Sequence, residues 1–155
     1  MLLKTILNRI QKHRGFVYGP TRLCEEGATL RLEVEIYPHL RNRPRCSGCG
    51  RRGPQYDTLP TRWFEFVPLW GLRVFFLYRM RRVACAPCGG VHVERVPWAE
   101  GKHQLTTTYA WFLARWAKRL SWQEVAATFR TSWDSVFRAV TMAVAWGRAH
   151  QDLTG

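Results

Sequence analysis

Apolar positions along the chain change period twice. Leu2, Leu3, Ile6, Leu7 and Ile10 recur at helical spacing with Lys4, Arg9 and Lys12 on the opposite side, which predicts a short amphipathic helix within residues 1–14. Beyond Gly15 the period drops to two: Leu30, Leu32, Val34 and Ile36 alternate with Arg31, Glu33 and Glu35. Residues 16–23 and 29–37 therefore read as strands joined by a turn at Glu26-Gly27. Residues 63–83 are strand-like again, and Pro68 and Gly71 divide them into the arms of a hairpin.

From Thr107 the pattern becomes helical. Tyr109, Phe112, Leu113, Trp116 and Leu120 form one stripe, and Ser121 with Glu124 has the spacing of a capping box, so a second helix starts there and runs to about Phe129. Thr131 and Asp134 repeat that spacing before a third helix, residues 132–148, with Val136, Val140 and Val144 on one face. Helix, short turn and longer helix make a helix-turn-helix, with Val125, Phe129, Val136 and Val140 in its core and Ala126 where the helices cross. Arg130 stands where such a turn favours Gly; a left-handed non-Gly residue costs about 1 kcal/mol, which predicts a wider turn. Trp111, Trp122 and Trp146 are expected in helix–helix contacts.

The segment between these regions carries the chemistry. Cys46-Ser-Gly-Cys49-Gly and Cys85-Ala-Pro-Cys88-Gly are two copies of one device, and two thiolates two residues apart can grip one metal ion. Together they supply four thiolates and no open coordination position, the pattern of one structural Zn2+. Iron, as in a rubredoxin-like electron carrier, is the alternative ion. His39 and His92 lie near the knuckles and are expected at the surface or supporting the cysteines rather than as ligands, and Cys24 reads as a small buried hydrophobe in a strand. The fold expected is α+β, a small β-rich zinc ribbon followed by a three-helix helix-turn-helix module. Its parts are residues 1–40 (helix and strands), 41–96 (ribbon) and 105–148 (helices).

Charge narrows the ligand. The 155 residues hold 24 Lys and Arg against 11 Asp and Glu, a net charge of +13, and 20 of the basic residues are Arg. With 46% hydrophobic residues this charge belongs to a folded object, and nucleic acid is the expected partner. Between Arg41 and Arg82 ten Arg face only Asp57 and Glu65. Arg73, Arg79, Arg81 and Arg82 are expected to hold the phosphate backbone, and Arg130, Trp133, Asp134, Phe137 and Arg138 to meet the major groove, with Arg138 gripping a guanine. Nothing in the sequence reads as a membrane span or signal peptide, and the odd, paired cysteines suit a reducing, cytoplasmic setting. No small-molecule substrate is expected.

RCSGCG at 45–50, DTLPTRWFEFVPL at 57–69, YRMRRVACAPCG at 78–89 and LSWQEVAATFRTSWDSVFRAV at 120–140 resemble the amino-terminal half of insertion-sequence transposases of the ISL-three family. The resemblance implies recognition of an element's terminal inverted repeats in double-stranded DNA. The cutting and joining of DNA belongs in that family to a downstream ribonuclease-H-like domain with three acidic residues. Asp152 is the sole acidic residue after the last helix, so this chain is expected to bind DNA without catalysing transposition, with a second copy or a full-length transposase as a further partner. A protein-interaction module that regulates a full-length transposase is the competing expectation.

Overall fold

In the computed structural model residues 3–151 are described; Leu2 and Asp152 lie outside them. Helix α1 (Leu3–Ile10) leads into β1 (Phe16–Glu26) and β2 (Thr29–Pro38), a hairpin that turns at Gly27 with φ of 59°. A two-residue strand β3 (Arg45–Cys46) precedes two long strands, β4 (Gln55–Leu69) and β5 (Leu72–Cys85). These two turn through Trp70 and Gly71, both left-handed at φ 49° and 74°, the geometry that matches the twist of a two-residue hairpin. Pro68 does not break the strand. It lies within β4, as does Pro60, and the β4–β5 register shifts between Thr58 and Thr61 and again between Phe66 and Leu69, so each proline falls at a bulge. Strand β6 (Gly90–Arg95) follows, then α2 (Thr107–Trp116), α3 (Trp122–Phe129) and α4 (Trp133–Ala149).

Strand β5 organises the sheet. One edge is covered by β4; the other is shared by β2, parallel over residues 73–77, and β6, antiparallel over residues 82–85. Among the described residues all six strands thereby join one curled, half-barrel sheet, accompanied by four helices. This overturns the expectation of a small zinc ribbon followed by a three-helix helix-turn-helix module. The parallel β2–β5 pairing is the reason: Val34 and Ile36 of β2 need a buried face, and they find it beside Val74, Phe76 and Tyr78 instead of within a unit of their own.

Leu7 of α1, Tyr18, Phe64 and Phe66 complete that core. Trp98 is its hub, 2% exposed, with ring centroids 4.9 to 5.9 Å from His13, Phe16, Phe64 and Tyr78. Along β5 the buried positions are Val74, Phe76, Tyr78 and Met80, and then Arg81, Val83 and Cys85. The inward parity changes where β6 replaces β2 as neighbour, and the second half of the strand turns its other face inward, toward a small cluster of Cys46, Val83 and Cys85.

The helices dock on β4. The Glu65 amide donates to Gln104 O (2.7 Å) and the Thr106 amide to Glu65 O (2.9 Å), while Val67 joins the helical core of Tyr109, Leu113, Val125, Ala126, Val136 and Ala139. Phe129 and Val140 pack against that core, and Val144 is exposed. Trp111 and Trp146 meet edge to face at 5.5 Å, linking α2 to α4. The capping box at Ser121 and Glu124 is complete. The third helix, however, is capped by Ser132, whose hydroxyl accepts from the Ser135 amide (3.1 Å), not by Thr131. The turn before it is also not widened. Arg130 adopts the left-handed conformation (φ 52°, ψ 40°), with its amide reaching back to Ala127 O and that of Thr131 to Ala126 O, the paired bonds of a Schellman ending.

Candidate metal centre and basic surface

The two knuckles fold alike. Cys46 ends β3 and Cys85 ends β5, both buried, whereas Cys49 and Cys88 lie in the following turns and are exposed. Gly50 and Gly89, directly after each pair, have φ of 72° and 69°, a conformation that a side chain would strain and that closes each turn. The four Sγ atoms lie within 4.8 Å of one another, with Cys46 to Cys88 at 3.8 Å and Cys49 to Cys85 at 3.5 Å. A tetrahedral ion at about 2.3 Å from each thiolate separates its sulfurs by about 3.8 Å, so the four can hold one metal ion with little movement. His39 and His92 take no part in the cluster.

Hydrogen bonds from the backbone amides of Cys49 and Gly48 lower the Cys46 thiol to about 6, which favours its thiolate form. Cys88, which shares hydrogen bonds with the Cys49 and Cys85 sulfurs, is pushed up to about 12. An ion would displace the protons that the four sulfurs share. Cys24 lies in β1 as expected, half-buried beside Glu33 and Arg31, away from the cluster.

The arginines expected on the phosphate face are differently placed. Arg81 is only 5% exposed: its guanidinium and amide bond Glu94, whose side chain is fully buried, and Nη1 donates to Asn42 O (2.7 Å). Arg81 is therefore not available to a phosphate. It fills the gap on the β5 edge between β2 and β6, where the parity change has turned it inward. Arg73 bonds Glu65 (3.1 Å) and Glu26 (3.3 Å) and lies over Phe75, and Arg82 is bound by Asp57. Arg79 is exposed opposite Thr61, with no carboxylate partner among the described residues.

At the start of α4 the side chains expected at the groove reach solvent. Trp133 and Phe137 are 49% and 42% exposed and stack at 5.5 Å, with Trp122 of α3 against both. Asp134 and Arg138, one turn apart, form an exposed ion pair at 2.9 Å. Arg130 donates to Gly71 O at the β4–β5 turn, where it ties the helices to the sheet. Arg14, Arg43, Arg45, Arg52 and Arg95 were not expected in the site, yet they gather beside the metal centre. The dense arginines of 41–52 were the available signal; Arg14 and Arg95 reach them only through the fold.

The chain is 29% identical over 91 residues, 59% of its length, to the "Transposase for insertion sequence element IS1001" of Bordetella parapertussis. The similarity relates the chain to insertion-sequence transposases. The matched region covers 22% of that relative. No family profile and no solved structure matches the chain. Among the described residues no helix is long and apolar enough to cross a membrane.

Proposed function

We propose that this chain is a DNA-recognition portion of an insertion-sequence transposase of the ISL-three kind, organised around one structural zinc ion. The similarity to a transposase carries the reading, and the +13 charge supports duplex DNA as the ligand. Cys46, Cys49, Cys85 and Cys88 would hold the zinc, which supplies folding free energy to the knuckles and leaves no position for a reacting water. The first turns of α4 offer Trp133, Asp134, Phe137 and Arg138 to base edges, with Arg79 among the backbone contacts. Arg138 already has a carboxylate beside it, so contact with a guanine would exchange the Asp134 pair for a bidentate base contact.

The test is a fluorescence-anisotropy titration of the zinc-loaded chain with random and element-end duplexes between 50 and 200 mM salt. Binding that weakens linearly in log salt, with a preferred site at which Arg138→Ala costs about 1 to 3 kcal/mol, is the expected outcome. Absence of duplex binding at 50 mM salt would refute the reading. The exposed Trp133–Phe137 stack favours a second reading, docking on a partner protein such as a full-length transposase. That reading predicts a stoichiometric protein complex and an affinity nearly independent of salt.

A further inference from the structure

Beside the metal centre, the start of β1, the loop before β3 and the end of β6 enclose a cleft of about 380 Å3. Arg14, Arg43, Arg45, Arg52, Arg81 and Arg95 line it, and Glu94 is the one acid among the described residues of its lining. Glu94 is held by Arg81 and Tyr78. The other five arginines are exposed and have no carboxylate partner among the described residues.

Three of them are aligned by the sheet. Arg95 is the antiparallel partner of Arg45, and Arg45 is bridged in turn to Arg52. Neighbouring strands lie about 4.8 Å apart, so the row spans about 10 Å, close to the axial rise of three nucleotides along one DNA strand. Like charges directly opposite one another destabilise a sheet. Here neutral oxygens position the forks without cancelling their charge: Arg45 donates to Gly50 O (3.2 Å), Arg95 to Ser47 O (3.1 Å) and Arg52 to Asn42 Oδ1 (3.0 Å). Each guanidinium keeps most of its five N–H donors for an anion that would remove the repulsion.

We infer that this cleft binds the phosphodiester backbone of nucleic acid, with Arg45, Arg52 and Arg95 as a row of phosphate contacts and Arg14 and Arg43 closing on it. The inference rests on the DNA-binding reading above and moves the main backbone contact from β5, where acids neutralise Arg73, Arg81 and Arg82, to the cleft. It also gives the metal centre a second consequence. Strand β3 is two residues long and ends at Cys46, so the knuckle that holds the ion also holds Arg45 in line with Arg95.

The test compares two zinc-loaded double variants with the wild type on a random 20-base-pair duplex. Arg14→Gln with Arg43→Gln removes two cleft charges from side chains that make no hydrogen bond among the described residues, so the melting temperature should not change. Arg115→Gln with Lys118→Gln removes the same charge from the helices. The cleft variant should flatten the slope of log affinity against log salt by about 1.8, which at 0.1 M salt is about a 60-fold loss; the helix variant should keep the wild-type slope. Arg14→Lys with Arg43→Lys should retain most of the slope. A cleft variant with the wild-type slope, or a helix variant that loses as much, would overturn the inference while a steeply salt-dependent wild type upholds the DNA-binding reading. A wild type that binds no duplex would overturn both.

Discussion

Glu94→Gln should be among the most damaging single-atom changes in the chain. The carboxylate accepts from the Tyr78 hydroxyl (2.6 Å), the Arg81 amide (2.8 Å), and Arg81 Nε and Nη2 (3.0 and 2.8 Å). Glutamine has the same shape but must turn its NH2 toward the guanidinium fork or toward the Tyr78 and Arg81 donors, so in either orientation donor faces donor. Arg81, 5% exposed, would retain its charge with no counter-ion. Removing one member of a buried ion pair costs about 3 to 5 kcal/mol. For a chain of this size each kcal/mol lowers the melting temperature by about 2 to 4 °C, so a fall of about 6 to 20 °C is expected. Urea unfolding followed by circular dichroism measures the difference, and adding Arg81→Met tests its cause. With the orphaned charge gone, the double variant should be at least as stable as Glu94→Gln alone. A loss below about 1 kcal/mol in Glu94→Gln, or an Arg81→Met change equally harmful in both backgrounds, would refute the argument.

His13 is buried against Trp98 and Tyr18, and desolvation lowers its pKa from 6.5 to about 4. Above pH 6.5 the ring is neutral in both states; as pH falls from 6.5 to 4 the unfolded chain binds a proton that the folded one refuses. Stability should drop over that window by up to about 3 kcal/mol, and His13→Leu should remove this part of the acid sensitivity in urea melts at stepped pH. Chelation of the metal, or Cys49→Ser, should expose the amides of residues 42–53 and 84–95 to hydrogen exchange while those of α2 and α4 stay protected. The reason is that among the described residues the knuckle cluster has only Cys46, Val83 and Cys85 to bury, two of them from the four-cysteine group; uniform exchange across the chain would contradict it. Finally, Arg130→Gly should be about 1 kcal/mol more stable than Arg130→Ala, since both lose the bond to Gly71 O and only Ala keeps the left-handed strain. Equal stabilities in urea unfolding would show that the strain is absorbed elsewhere.

Features that a few consecutive residues complete were legible in the sequence. The Cys-x-x-Cys-Gly knuckles, the Ser121–Glu124 capping box, the Gly27 turn and the strand alternation of residues 29–37 each depend on partners within a few positions, and each is found where its spacing puts it. The helical core of Val125, Ala126 and Val136 was equally legible, because a 3.6-residue period names its own inward face.

The fate of the charges was not legible. Arg73, Arg79, Arg81 and Arg82 were expected together on the phosphate backbone, but the acids that bind three of them come from other strands: Glu26 from β1, Glu65 and Asp57 from β4, and Glu94 from β6. A period-two pattern also cannot announce where a strand will turn its other face inward, and β5 does so at Arg81, where one neighbouring strand replaces another. The sequence by itself determined the local elements, the four thiolates and the total charge, all set by composition and short-range spacing. Only the tertiary structure decided that β2 would join β5 in a single sheet, which arginines would be neutralised, and which would stand in a row beside the metal centre. Those outcomes depend on contacts between residues on different strands, from 7 to 50 positions apart, where packing and desolvation select partners that no local pattern specifies.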